Sequence, residues 1–369
     1  MHAARSKHPT SLFDMVSRSR PLAVGFSVIA VAVTLAACGP SDTPSAPDVP
    51  TVTPATAPAA PPGPAAAPAG IVLPTPAGSR GLAVDDGVVA VLDPAGTTVL
   101  RYRDALPGAE PQRSTTPPLT RLVGSGDGSF VGVGPDVIAR ISPDGAVATT
   151  PTEVADPTAL ARTASGQVLV GTADGRVLVF DRDLRPGRVI DGFVRVDDIT
   201  VSPEDADLPG EQVVVLDRAQ SSVTPVTLSD GNLGPALRAG NGATTSTVDR
   251  YGRVLVANTR DDELIGFFGS PLVMRFRYPV ANGPYAVDYD DTRNLAWVST
   301  TANNEVVAYD LSGGEPEEKH RFPAVAQPDS IAVDDATGTV YVLSARGGLQ
   351  VATPQNALRG VVTVGPSGG

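Results

Sequence analysis

The chain has 369 residues, 41% hydrophobic and 18% charged, with 38 Gly, 36 Pro and 5% aromatic residues. Its 28 basic residues face 40 acidic ones; a net charge of −12 argues against nucleic acid and against a basic patch on anionic lipid. One cysteine excludes an internal disulfide and a Cys-based zinc site, and of three histidines only His320 lies beyond residue 8, which speaks against Ser-His-Asp hydrolysis and multi-histidine chemistry.

Residues 1–21 carry Arg5, Lys7, Arg18 and Arg20 against the single Asp14, and Leu22 to Leu35 then runs apolar for fourteen residues. That run is short for a membrane span and has the length of a signal-peptide core. It ends in Leu35-Ala36-Ala37-Cys38-Gly39, which resembles the bacterial lipobox. The resemblance implies a signal peptide over 1–37, cut before Cys38, with the Cys38 thiol diacylglycerylated and the new amine open to acylation such as palmitate. The protein is then expected on the outer face of the cell membrane. Removing four basic residues and one acidic residue leaves 24 against 39, a body of −15 that stands off an anionic surface. Lysine occurs only at 7 and 319, which points to a GC-rich genome and, with the lipobox, to an actinobacterial source.

From Cys38 to residue 70 the chain is mostly Pro, Ala, Thr and Ser with no hydrophobic period, which predicts a disordered, extended tether. At about 3.1 Å per residue, roughly thirty residues would reach on the order of 90 Å. Thr43, Thr51, Thr53 and Thr56 are glycosylation candidates along it.

Beyond residue 80, short Val/Ile/Leu runs alternate with Asp-Gly and Asn turns, a strand-and-turn texture with no sustained helical period. The apolar residue before each first turn recurs at Val84, Val123, Thr163, Val201, Val248, Val287 and Val333, spaced 39, 40, 38, 47, 39 and 46 residues apart. A strongly apolar second run follows each turn, then a polar loop, a third run and a weaker fourth. Seven units of about forty residues with four strands each predict an all-β, seven-bladed β-propeller of four-stranded antiparallel blades over 71–369. The 204–211 turn and the 275–284 stretch are expected to absorb the two long spacings. For ring closure, Gly360-Val361-Val362-Thr363-Val364 competes with Ile71-Val72-Leu73, and the regular distance to a fourth strand favours the C-terminal run.

Gly283-Pro284-Tyr285-Ala286-Val287-Asp288, Leu295-Ala296-Trp297-Val298-Ser299 and Asn303-Asn304-Glu305-Val306-Val307-Ala308-Tyr309-Asp310 resemble the bacterial YVTN/NHL-type repeat. The fifth and seventh units match well, the first four loosely. The resemblance implies a propeller and says little about activity.

Alternating strand directions put the loops before each first strand and those between second and third strands on one face. That face collects Asp93, Asp174, Asp217, Arg218, Asn258, Arg260, Asp261, Asp262, Asn303, Asn304 and Arg346, with Pro157, Pro284 and Pro328 from the leading loops. Convergent polar loops on a rigid scaffold suit partner binding, although Asn, Asp and Gly also serve simply as turn formers. Arg260, Asp261 and Asp262 are expected to hang free of the fold. Carboxylate and amide oxygens around Asn258 would suit Ca²⁺, so a Ca²⁺-dependent lactonase-like hydrolase is the alternative. Asp288, Asp290, Asp291, Asp334 and Asp335 fall on the opposite face and complete no ring with Asn258. A streptogramin-lyase-like activity would need histidines that the chain lacks beyond His320. Trp297, alone in an apolar strand, reads as core and not as a quinone-cofactor platform. Gly124-Ser125-Gly126-Asp127-Gly128 reads as a turn between strands and not a phosphate cradle. The expectation is a monomeric, non-enzymatic lipoprotein module without a cofactor, binding a protein or an envelope glycan; a purely structural envelope role is the remaining alternative.

Overall fold

A computed structural model describes residues 50–62, 66–103 and 105–357. The 28 strands form seven separate four-stranded antiparallel sheets, the blades of a propeller. The inner strands, Arg80–Asp85, Arg121–Gly124, Pro157–Arg162, Asp198–Val201, Ala243–Val248, Pro284–Asp290 and Pro328–Asp334, pack in order around the axis. The seventh lies against the first, so the ring is closed.

Second strands carry the core. Val88–Leu92, Phe130–Gly134, Val168–Thr172, Val213–Asp217, Val254–Asn258, Leu295–Thr300 and Thr339–Ser344 are buried at every position. A strand with blades on both faces has no solvent side, which explains why these runs read as continuous Val, Leu and Ala. Hydrophobic clusters fill the gaps between neighbouring blades, for example Leu255, Ala257 and Leu264 of the fifth with Val287, Tyr289 and Val298 of the sixth. Outer strands such as Val273–Pro279 and Pro186–Ile190 are mostly exposed. Trp297 is core: only 3% exposed, it sits against Phe322 and is stacked with His320.

Three expectations need correction. The seventh blade is completed from the N-terminal side: Ile71–Leu73 pairs with Leu349–Ala352 in the register Ile71 to Val351, Val72 to Gln350 and Leu73 to Leu349. Regular spacing misled here, because it counts strands within one unit and cannot see that the ring brings the two ends of the propeller together. The run 360–364 lies outside the described residues. Second, 275–284 is no expanded loop, since Val273–Pro279 is an outer strand. The long sixth unit comes instead from strands of six and seven residues and the 311–316 loop. The long 202–212 turn of the fourth blade is where it was expected.

The third correction concerns the tether. Residues 52–58 are not free of the propeller but lie across its loops. The Val52 amide donates to the Ala219 carbonyl at 2.7 Å, and Arg260 Nη2 donates to the Thr53 carbonyl at 2.8 Å. Arg218 holds the Ala55 carbonyl, and Gln327 Nε2 donates to the Pro58 carbonyl at 3.1 Å. Farther on, the Ala69 amide donates to Pro323, and Gln350 Nε2 donates to the Ala69 carbonyl, which delivers the chain to the outer edge of the seventh blade. The lipobox and Thr43 lie outside the described residues.

Candidate functional site

All eleven predicted loop residues stand in or beside the loops between second and third strands, on one face of the ring. Most of them, however, brace the backbone. Asp217, fully buried, accepts from the Val194, Arg195 and Gln220 amides at 2.9 to 3.0 Å. Buried Asn258 accepts from the Gly242 amide at 3.0 Å and donates to Asp261 and Glu263, both at 2.9 Å. Asp261 accepts from the Asn241 amide at 2.9 Å, and Asp262 from the Gly283 amide at 2.8 Å. Asn304 does the same for the Gln327 amide at 2.8 Å. Asp262 and Asn304 both sit at positive φ, 54° and 56°, where Asp and Asn are tolerated better than bulkier residues.

Each of these side chains therefore ties a second-to-third-strand loop to a neighbouring loop that leads into a blade. Asp261 and Asp262 are not free of the fold as the sequence suggested; a side chain two residues past a strand end reaches the adjacent loop, which linear spacing does not display. Asp93 caps its own turn, accepting from Thr97 and Thr98. Asn303 accepts from Thr300 and donates to Glu305, both at 2.6 Å, while Asp174 pairs with Arg176 at 2.7 Å at the surface. Arg218 and Arg260 hold the overlying segment, and the Arg346 side chain takes no hydrogen-bond partner among the described residues.

The residues the sequence reading missed line the axis. A cavity of about 570 Å³ runs between the inner strands, bordered by Arg80, Arg121, Asp197, Asp198, Arg218, Tyr285, Asp288 and Asp329 among others. At its loop-face mouth, Arg80 Nη1 donates to the Pro94 carbonyl at 2.8 Å and Arg121 Nη1 to the Thr120 carbonyl at 2.9 Å. Neither guanidinium has a carboxylate within ion-pair distance among the described residues, and burial lowers the Arg121 pKa. Asp329 Oδ1 is buried without a partner, as are the Nε atoms of Arg80 and Arg218. Burial pushes the Asp329 carboxyl up to about 6. The signal was available: Arg80 and Asp329 each stand four residues before the aligned apolar position, and Arg121 stands two before it. A charge near the start of an otherwise apolar inner strand marks a side chain turned to the axis.

Within the channel, carboxylates also join inner strands. Asp198 accepts from the Ser246 amide and hydroxyl, both at 3.0 Å. Asp288 lies within the inner strand and not in the turn expected for it, accepting from Thr247 Oγ1 at 3.0 Å and the Val333 amide at 2.9 Å. Burial raises its pKa to about 7.

On the opposite face the 124–128 turn does cradle an anion, but an internal one. Asp85 accepts from the Gly126, Asp127 and Gly128 amides at 2.7, 3.1 and 2.6 Å. No cluster of three or more His, Cys, Asp or Glu side chains able to hold a metal ion occurs among the described residues.

The ring is similar to solved propellers. A streptogramin B lyase structure superposes with a TM-score of 0.62 at 14% identity, covering 77% of this chain and 97% of that one. A catalytically inactive virginiamycin B lyase from Staphylococcus aureus with quinupristin gives 0.62 at 14% identity, over 76% of this chain and 98% of that one. A chain of a mitotic checkpoint complex gives 0.65 at 11% identity, over 78% and 92%. No protein-family model matches the sequence, and comparison with curated proteins likewise gives no match. The class defined is the seven-bladed β-propeller, a scaffold that hosts both enzymes and interaction modules.

Proposed function

We propose that this protein is a lipid-anchored extracytoplasmic lipoprotein whose propeller is an interaction module for a protein or an envelope glycan, engaged through the loop face at the channel mouth. The observation that carries the reading is the set of polar groups left unused there. Arg80 and Arg121 meet only backbone carbonyls, and Asp329 Oδ1 meets nothing. Buried polar atoms without internal partners cost about 1–3 kcal/mol each, so a fold that keeps three of them at one opening, Arg80 Nε, Arg218 Nε and Asp329 Oδ1, gains from an external partner. A carboxylate or sugar hydroxyl would satisfy the guanidiniums, and a hydroxyl or ammonium the Asp329 carboxyl.

A binding role is favoured over histidine-dependent catalysis because the chain's one histidine beyond residue 8, His320, is on an outer strand stacked with Trp297 and does not line the channel. The anchor reading rests on sequence alone: the basic 1–21 segment, the apolar run Leu22 to Leu35 and the Leu35–Cys38 motif; among the described residues no helix is long and apolar enough to cross a membrane.

The test is photo-crosslinking in whole cells from positions 121 and 329, with position 188 on an outer strand as control. A discrete adduct from 121 and 329 and none from 188 supports the module; no adduct, or the same adduct from all three, overturns it. For the anchor, Cys38→Ala should abolish processing at this site and partition into detergent. A variant that is cut and partitions like the parent would remove the lipoprotein reading.

A further inference from the structure

The segment lying on the loop face has the geometry of a bound peptide. Val52, Ala55, Ala57 and Pro58 are partly or fully buried against the propeller, Ala55 only 5% exposed, while Thr51, Thr53, Pro54 and Thr56 face outward. The segment is Pro-rich and has no helix or strand of its own, and in an extended, polyproline-like chain the backbone carbonyls have no internal partner and must be satisfied from outside. Here side chains of the ring satisfy them: Arg260 takes Thr53, Arg218 takes Ala55 and Gln327 takes Pro58. These donors come from the fifth blade, the fourth blade and the loop leading into the seventh, so one strap crosses four blades.

The face is also shaped for it. A Cβ added at Gly242 would sit 3.1 Å from the Ala55 Cβ, and one at Gly283 would sit 2.7 Å from Pro58 Cγ. Backbone recognition by long polar side chains, with small residues in the floor, reads an extended conformation and not a particular sequence.

We propose that the loop face of the fourth to seventh blades is a groove for extended, proline-containing peptides, and that residues 52–58 occupy it as a resident, displaceable ligand. The inference rests on the reading of this face as an interaction surface and specifies its partner as a segment of that chemistry carried by another protein. Docking also shortens the anchor. Cys38 lies fourteen residues before Val52, a span of at most about 50 Å even when fully extended. Displacement would return the residues from 52 onward to the tether and let the propeller reach farther from the membrane.

The experiment compares the full chain with Ala55→Trp, whose indole has no room above Gly242 and whose position touches no propeller core. The probe is a labelled synthetic peptide of residues 50–60, beside a version with Pro54 and Pro58 replaced by Gly. A tethered competitor acts at an effective concentration near millimolar, so the parent should bind the peptide at least tenfold more weakly than Ala55→Trp. Adding Arg218→Ser and Arg260→Ser to Ala55→Trp should cost tenfold or more, and the Gly-substituted peptide should bind more weakly. Equal binding to parent and Ala55→Trp, equal binding of both peptides, or no binding to either protein overturns the proposal. Amide exchange of Val52 in the parent is an independent measure: protection supports the strap, and exchange at the free-peptide rate overturns it. Failure of the peptide with crosslinks from 121 and 329 intact sinks this inference alone. Loss of those crosslinks with peptide binding retained sinks the channel-mouth reading alone.

Discussion

On the face carrying the first turns, acidic side chains join one blade to the next. Asp85 of the first blade takes three amides of the second, Glu211 takes the Ala164 amide, Asp291 takes Arg250 and Asp335 takes Asp291. On the loop face, Asp217, Asn258, Asp261, Asp262 and Asn304 tie loops together in the same way, yet Arg218, Arg260 and Gln327 reach past the ring to the overlying segment. Arg80, Arg121 and Asp329 reach into the channel. The same turn-forming residues thus close one face upon itself and leave the other with donors and acceptors to offer. Most carboxylates on these two faces brace backbone amides, whereas the loop-face guanidiniums, together with Asp329, turn to the overlying segment or to the channel.

The largest expected effect tests the seam on which both faces depend. Leu73 is 1% exposed and packs with Val89, Val91, Leu343 and Leu349, so deleting 71–73 removes a buried leucine and bares an edge of the seventh blade. A leucine deleted from a core costs about 2–5 kcal/mol. The melting temperature should fall by on the order of 10 °C. Truncation after Ala357 leaves every described strand in place and should shift it by under ~2 °C. A scanning-calorimetry result in the reverse order would return closure to the C-terminal side.

The next effect separates the faces. Asp85→Ala leaves three amides of the opposite-face turn without their acceptor, a cost of about 1–3 kcal/mol, with no change in peptide or partner binding. Asp262→Ser removes the acceptor for Gly283 and puts serine at φ 54°, for about 1–2 kcal/mol. Arg260→Ser should change stability by less than about 0.5 kcal/mol while loosening the strap, read as faster Val52 amide exchange. Denaturant melts that show Arg260→Ser as costly as Asp262→Ser would erase the distinction drawn between carboxylates and guanidiniums.

What could be read from the sequence follows the same division. Second strands lie between two blades, so Val213-Val214-Val215-Leu216 has no polar side to hide it, and all seven registers are visible within a residue. The bracing carboxylates are invisible as such, because an Asp that clasps the next blade and an Asp that merely forms a turn are the same letter in the same place. Arg218 and Arg260 lie on the predicted face for the right reason, yet what they hold is backbone. A segment recognised through its carbonyls carries no hydrophobic period, so Thr51 to Pro58 looks like any other spacer. Arg80, Arg121 and Asp329 could have been found by asking which inner strands begin with a charge.

The remaining effect is a pH dependence, set by carboxyls of the channel and of the first-turn face. Burial raises Asp288 to about 7, and Asp291 and Asp329 to about 6, so the folded state favours their protonated forms. An acid whose folded pKa exceeds its unfolded value, about 3.9, destabilises the fold when ionised. That cost is full above pH 7 and is removed as pH falls from about 7 toward 4. Asp174 and Asp261, held below the usual carboxylate range by hydrogen bonds and a neighbouring arginine, act in the opposite sense, but only below about pH 4. Calorimetry should therefore place the highest melting temperature nearer pH 5 than pH 8. Asp288→Asn keeps an acceptor for the Val333 amide and a polar contact for Thr247, so it should fold normally and flatten the slope between pH 5 and 7.5. A parent protein most stable at pH 8, or a variant with the parent's slope, would mean that the channel keeps Asp288 ionised. The axis would then be wetter and more polar than the unpaired groups at its mouth imply.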